Sequence, residues 1–102
     1  MKKINDTVRE VVNEVIPYVR ILLFGSRARN DAYPESDYDF LIVTSSNIES
    51  REKISLRSKI RKKLLEKGIR SDILIQSETE LASKNRIPGH IVKSILKDAI
   101  LI

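Results

Sequence analysis

The sequence predicts an α/β or α+β fold, a small mixed β-sheet with helices packed on it. Short apolar runs of five to seven residues alternate with longer stretches of helical periodicity, and Gly and Pro punctuate the joins. A later strand–helix–strand unit has the length of a right-handed crossover. At 102 residues the chain is expected to form one domain over 1–102, burying about two-thirds of its unfolded surface. Any site on it should therefore be open, with a partner able to supply part of it.

The expected order is α-β-α-β-α-β-α-α. Val8, Val11, Val12 and Val15 share one helical face, Thr7 and Glu10 fit a capping box inside the helix or at its start, and Pro17 ends the helix. Arg20–Phe24 is an apolar run closed by Gly25, suited to a strand buried on both faces. Residues 26–30 form a helical turn and 31–36 a loop containing Pro34. Asp37–Val43 is the second strand. The join of about a dozen residues between the two strands fits either a long hairpin or a tight crossover. Ser46 and Glu49 fit a second capping box, opening a helix to about Lys67 with the stripe Leu56, Ile60 and Leu64 and with Gly68 as its stop. Ile69–Ile75 is the third strand, and Ser77 with Glu80 caps a short helix. Pro88-Gly89 then opens a last helix with Val92, Ile95, Leu96 and Ala99 on one face.

Composition removes several functional classes. There is no Cys, hence no disulfide, thiolate metal site or cysteine nucleophile. Met1-Lys2-Lys3 is basic, but polar residues break the apolar pattern that follows, so it does not read as a signal peptide. No run approaches the ~20 apolar residues of a membrane span, and a cytoplasmic location is expected, with no membrane partner. The formal charge is +5, which invites a nucleic-acid reading. Much of the basic charge, however, sits in Arg51–Lys67, with eight Lys or Arg against two Glu. The apolar stripe there makes most of those charges a solvated helix face, and no aromatic residues interleave for base stacking. Nucleic acid is not expected as a direct ligand.

The informative segment is Leu23–Val43. Asp37 and Asp39 are at i and i+2 of a strand and so share a face. Side by side their carboxylates repel, and a hard cation such as Mg²⁺ relieves the repulsion; alone, such a pair is more often simply solvated. Gly25-Ser26 follows a buried strand and precedes a helical turn, where backbone N–H groups and a hydroxyl can meet an anion. A strand-ending glycine with a capping serine is the plainer alternative. Arg27 and Arg29 are either triphosphate ligands or exposed loop charges. Asp72 interrupts an apolar strand: beside the Asp37–Asp39 strand it adds a third carboxylate, and the plain alternative is a strand-edge aspartate in solvent with Arg70 as a candidate partner. His90 is recruited by no motif and reads as structural or exposed, Tyr33 and Tyr38 flank the acid segment as exposed rings or as candidates to stack on a base, and residues 91–102 carry enough apolar surface for a core helix or an interface.

Gly25-Ser26, ten residues, then Asp37-Tyr38-Asp39 gives the spacing G-S-x10-D-x-D. This resembles the DNA polymerase β-like nucleotidyltransferase superfamily. The fuller string G-S-R-A-R…S-D-Y-D-F-L-I-V resembles its minimal, or MNT, branch. The resemblance runs over essentially the whole chain and implies a nucleotidyltransferase-like fold. It implies that Asp37 and Asp39 hold Mg²⁺, that Asp72 completes the catalytic triad as general base or second-metal ligand, and that Gly25, Ser26, Arg27, Arg29 and Ser36 bind the nucleotide. One or two Mg²⁺ ions and ATP as substrate follow from it. MNT proteins resemble antitoxins paired with HEPN ribonuclease toxins, so the implied activity is protein adenylylation of a tyrosine on such a toxin. The alternative is a non-catalytic antitoxin that neutralises its partner by contact, and homo- or hetero-oligomers fit either. Where the family often has glycine after the second arginine, this chain has Asn30, a residue that tolerates left-handed backbone.

Overall fold

The computed structural model describes residues 3–102; Met1-Lys2 of the basic start lie outside them. Helix α1 (Ile4–Val15) buries Val8, Val11 and Val12 and ends two residues before Pro17. It opens a turn before Thr7, so the Thr7–Glu10 pair lies inside the helix and not at its start. Lys3 is the cap residue, and the Thr7 hydroxyl donates to the Lys3 carbonyl at 3.4 Å from inside the first turn. Strand β1 (Arg20–Phe24), the single turn α2 (Ser26–Arg29) and strand β2 (Tyr38–Thr44) follow. β1 and β2 pair antiparallel from Arg20↔Val43 to Phe24↔Asp39. The join between them is thus a long hairpin.

Helix α3 (Ser50–Glu66) buries Ile60 and Leu64. It starts four residues after Ser46, so the predicted Ser46–Glu49 box is not used; Glu49 caps it without a side-chain bond. The preceding loop is tied elsewhere: the Thr44 hydroxyl donates to the Ser46 carbonyl at 2.8 Å, and the Ser77 hydroxyl donates to Asn47. At the other end Gly68 has φ +79°, and the Ile69 N–H returns to the Leu64 carbonyl at 2.9 Å. That left-handed stop is the one the sequence predicts.

Strand β3 (Ser71–Ser77) pairs parallel with β2, from Tyr38↔Ser71 to Thr44↔Ser77. Helix α4 (Glu78–Asn85) begins with the predicted Ser77–Glu80 capping box, complete in both directions. Helix α5 (Ile91–Asp98) is capped by His90, whose Nδ1 accepts from the Val92 N–H at 3.1 Å. The sequence extends this helix through Ala99. It stops at Asp98 instead, and Ile100–Leu101 form strand β4, antiparallel to β1. β-branched Ile100 and Ile102 favour extended backbone, and the Ile102 N–H donates to the Ile21 carbonyl at 3.0 Å.

The mixed sheet has the order β3-β2-β1-β4. Strand alternation sends Ile21, Leu23, Phe40, Ile42, Ile73 and Ile75 to a core with α1 and α3. Leu41 and Val43 face a smaller core with Leu81 of α4 and Val92 of α5. Both faces of β2 are therefore covered, which makes it the central strand of the molecule. Among the described residues, no helix is long and apolar enough to cross a membrane.

Candidate active site

The parallel register places Asp39 of β2 directly beside Asp72 of β3. Alternation puts both on the face of Leu41, the α4–α5 side, at the point where the smaller core ends. Asp37 stands just ahead of β2 and is exposed. Its carboxylate turns toward Arg70, whose Nε is 3.5 Å away. Arg70 is thus the partner of Asp37, where the sequence leaves it as a candidate partner of Asp72. Among the described residues no group of three or more acids or histidines closes into a ready-made metal cage.

Gly25 joins β1 to α2 and fixes the other side of Asp39. Its φ of +74° is a left-handed conformation that favours glycine. A Cβ here would collide with the Asp39 Oδ2 and lie 3.2 Å from the carboxyl carbon. Gly25 therefore does two things: it makes the turn, and it leaves the volume that the carboxylate fills. The turn closes at Asn30, with φ 66° and ψ 29°, whose N–H returns to the Ser26 carbonyl. Asparagine takes the left-handed position where the resembling family often has glycine. The Ser26 hydroxyl makes no hydrogen bond among the described residues.

The two arginines of the motif differ. Arg27 donates from Nη2 to the carbonyls of Ser36 at 2.8 Å and Pro34 at 3.0 Å. Its guanidinium also lies 4.4 Å from the Tyr38 ring centroid, and that ring stacks on Phe40. These contacts fasten the loop before the acids to α2 and β2. Arg29 is more open. It pairs with Asp31 at 3.1 Å and lies 3.8 Å from Asp98 at the end of α5. Ser36 closes a turn, its hydroxyl accepting from the Tyr33 N–H at 3.0 Å.

Electrostatics single out Asp39. Partial burial raises its pKa above the ordinary 3.8, the Asp72 and Asp37 charges raise it further, and Arg29 opposes them. A half-buried carboxylate facing like charges is what a hard divalent cation stabilises. Mg²⁺ needs only one or two carboxylates, with phosphate and water completing its shell. The oxygen donors of Asp39 and Asp72, with Asp37 in electrostatic reach, fit such an ion.

Two hollows border the acids along the outer side of β3. One, about 350 Å³, is lined by Ile54, Arg57, Ser58, Arg61, Asp72 and Ile73. The other, about 370 Å³, includes Asp37, Arg61, Leu65 and Arg70. A separate hollow of about 470 Å³ lies between α1 and β1, walled by Val12, Ile21 and Leu101, and contains none of the motif residues. Sequence reading treats Arg57 and Arg61 as part of a solvated face. Their spacing with Ile54, at i, i+3 and i+7, is the signal for a distinct stripe.

A family model described as nucleotidyltransferase domain matches residues 1–102, and the chain belongs to that family. The fold is also similar to a chain in a crystal structure of a toxin–antitoxin with AMP-PNP. The TM-score is 0.66 at 16% identity, covering 98% of this chain and 72% of that one. A comparison with curated proteins finds no match.

Proposed function

We propose that this chain is a Mg²⁺-dependent protein adenylyltransferase that transfers AMP from ATP to a tyrosine of a partner HEPN-type ribonuclease toxin, and so acts as its antitoxin in the cytoplasm. The observation that carries the reading is the Asp39–Asp72 pair, held in register across two strands with Gly25 against Asp39. Family membership supports nucleotidyl transfer, and the toxin–antitoxin structure solved with AMP-PNP supports the nucleotide and the kind of partner.

In this reading Gly25 and the free Ser26 hydroxyl receive the triphosphate at the start of α2. Arg29 adds positive charge there, while Arg27 and Ser36 act through the loop that they hold in shape. Asp39 and Asp72, with Asp37 beside them, hold the ion. Once bound, Mg²⁺ supplies charge neutralisation for the triphosphate oxygens and the leaving group. The tyrosine oxygen bonds to the α-phosphorus, the α–β phosphoanhydride P–O bond breaks, and pyrophosphate departs with that electron pair. Asp72, the more exposed of the pair, takes the phenolic proton. Most of the rate comes from positioning.

A second reading is neutralisation by contact alone. It is favoured by the pairing of Asp37 with Arg70, which turns one acid of the motif away from its neighbours. Incubation with α-labelled ATP, Mg²⁺ and the toxin, using wild type and Asp39→Ala, separates the two. Label on the toxin that is lost in the variant supports transfer. A toxin that is bound and silenced without label, equally by both proteins, would overturn it.

A further inference from the structure

From the outer edge of β3 we infer an acceptor-docking groove for an acidic polypeptide segment. This deepens the adenylyl-transfer reading and rests on it. Gly25 and α2 lie on the β1 side of Asp39, whereas Asp72 lies on the opposite side, on the edge strand. With the nucleotide on the β1 side, the β3 side is left for the acceptor. The two hollows there share Arg61, and each borders an acid of the site, Asp72 in one and Asp37 in the other.

The walls define the occupant. Arg57 is half-buried and makes no hydrogen bond or ion pair among the described residues. A guanidinium removed in part from water and left unpaired favours an incoming carboxylate. Arg61 donates from Nε to the Ser71 carbonyl at 3.2 Å, which holds it against the strand edge. Ile54 and Leu65 flank the arginines and are 56% and 60% exposed, so the groove offers apolar ground at both ends. Among the described residues β3 has β2 on one side and no strand on the other, leaving outward backbone groups for an extended segment to pair with. Among the described residues no aromatic side chain lines either hollow, so stacked bases find no platform there. An acidic segment with a few apolar residues, its tyrosine presented to Asp72, matches this surface.

The test uses a fluorescent random Glu–Tyr copolymer, with a Lys–Tyr copolymer and oligoadenylate as comparison probes. Binding is followed by anisotropy, and AMP-PNP binding with Mg²⁺ is measured on the same proteins. Wild type should bind the Glu–Tyr copolymer in preference to both other probes. Arg57→Glu should weaken that binding by about tenfold or more while leaving AMP-PNP binding unchanged. Lys59→Glu, the same charge change on an exposed α3 position outside both hollows, should have little effect. Equal losses in the two variants, or preference for oligoadenylate, would overturn the groove. Nucleotide binding without copolymer binding removes this inference and leaves the transfer reading standing. Copolymer binding that depends on Arg57 without nucleotide binding supports the groove and removes the transfer reading.

Discussion

At Gly25 and Asp39 one small volume serves two residues, and both can be tested. Gly25→Ala must strain a left-handed backbone and push against the Asp39 carboxylate. A loss of about 1–3 kcal/mol is expected, read by denaturant unfolding, together with loss of AMP-PNP binding. Asp39 behaves in the opposite sense. Its folded pKa lies above 3.8, so the folded chain holds a proton more tightly than the unfolded one. Stability therefore falls as pH rises from 3.8 through the folded value. Asp39→Asn should raise Tm at neutral pH, by about 2–4 °C, while abolishing the proposed transfer. A lowered Tm would mean that the carboxylate is held by contacts rather than against them. The D-x-D spacing is legible in sequence, but the shared strand face it predicts is not kept, because β2 begins at Tyr38 and the Asp37 carboxylate turns to Arg70. The partner of Asp37 was not legible, because Arg70 meets it only through the pairing of β2 with β3.

Among the elements, three capping boxes are readable from sequence and one is used. Thr7 and Ser46 have the spacing but no helix start at their positions. Ser77 succeeds because β3 ends in a buried serine and Glu80 is fixed by more than the box. Lys53 of α3 reaches its two carboxylate oxygens at 2.8 and 2.7 Å. The bond from Lys53, with help from the Ser77 N–H, holds the Glu80 pKa below 4.5 against the effect of burial. A lowered folded pKa gives stability that is full above 4.5 and is lost as pH falls through the folded value. Glu80→Gln should cost about 1 kcal/mol at pH 7, and its difference from wild type should shrink in acid. A constant difference down to low pH would assign the effect to packing. Strand β4 was missed because two residues after an amphipathic helix carry no periodicity of their own. Only their pairing with β1 defines them.

For the molecule as a whole, the sheet order decides what the motif can do. The alternation of helices and strands was legible, and so was the crossover from β2 through α3 to β3. Whether β2 returned as a hairpin was not, since about a dozen residues permit both routes. The order β3-β2-β1-β4 puts the acids between the middle and one edge, and the last strand at the far edge. Deleting residues 100–102 should therefore lower stability by about 2–3 kcal/mol, through lost burial at Ile102 and lost pairing to β1. AMP-PNP affinity should survive when measured well below the lowered Tm, and its disappearance there would tie β4 to the site. The covered central strand carries a last consequence. Asp39 sits on the strand with sheet neighbours on both sides, so its amide region is expected to exchange hydrogen with solvent only when the whole sheet opens. Such a centre is expected to have no partly melted form: on heating, the Asp39–Asp72 pairing should be lost along the same curve as the fold itself.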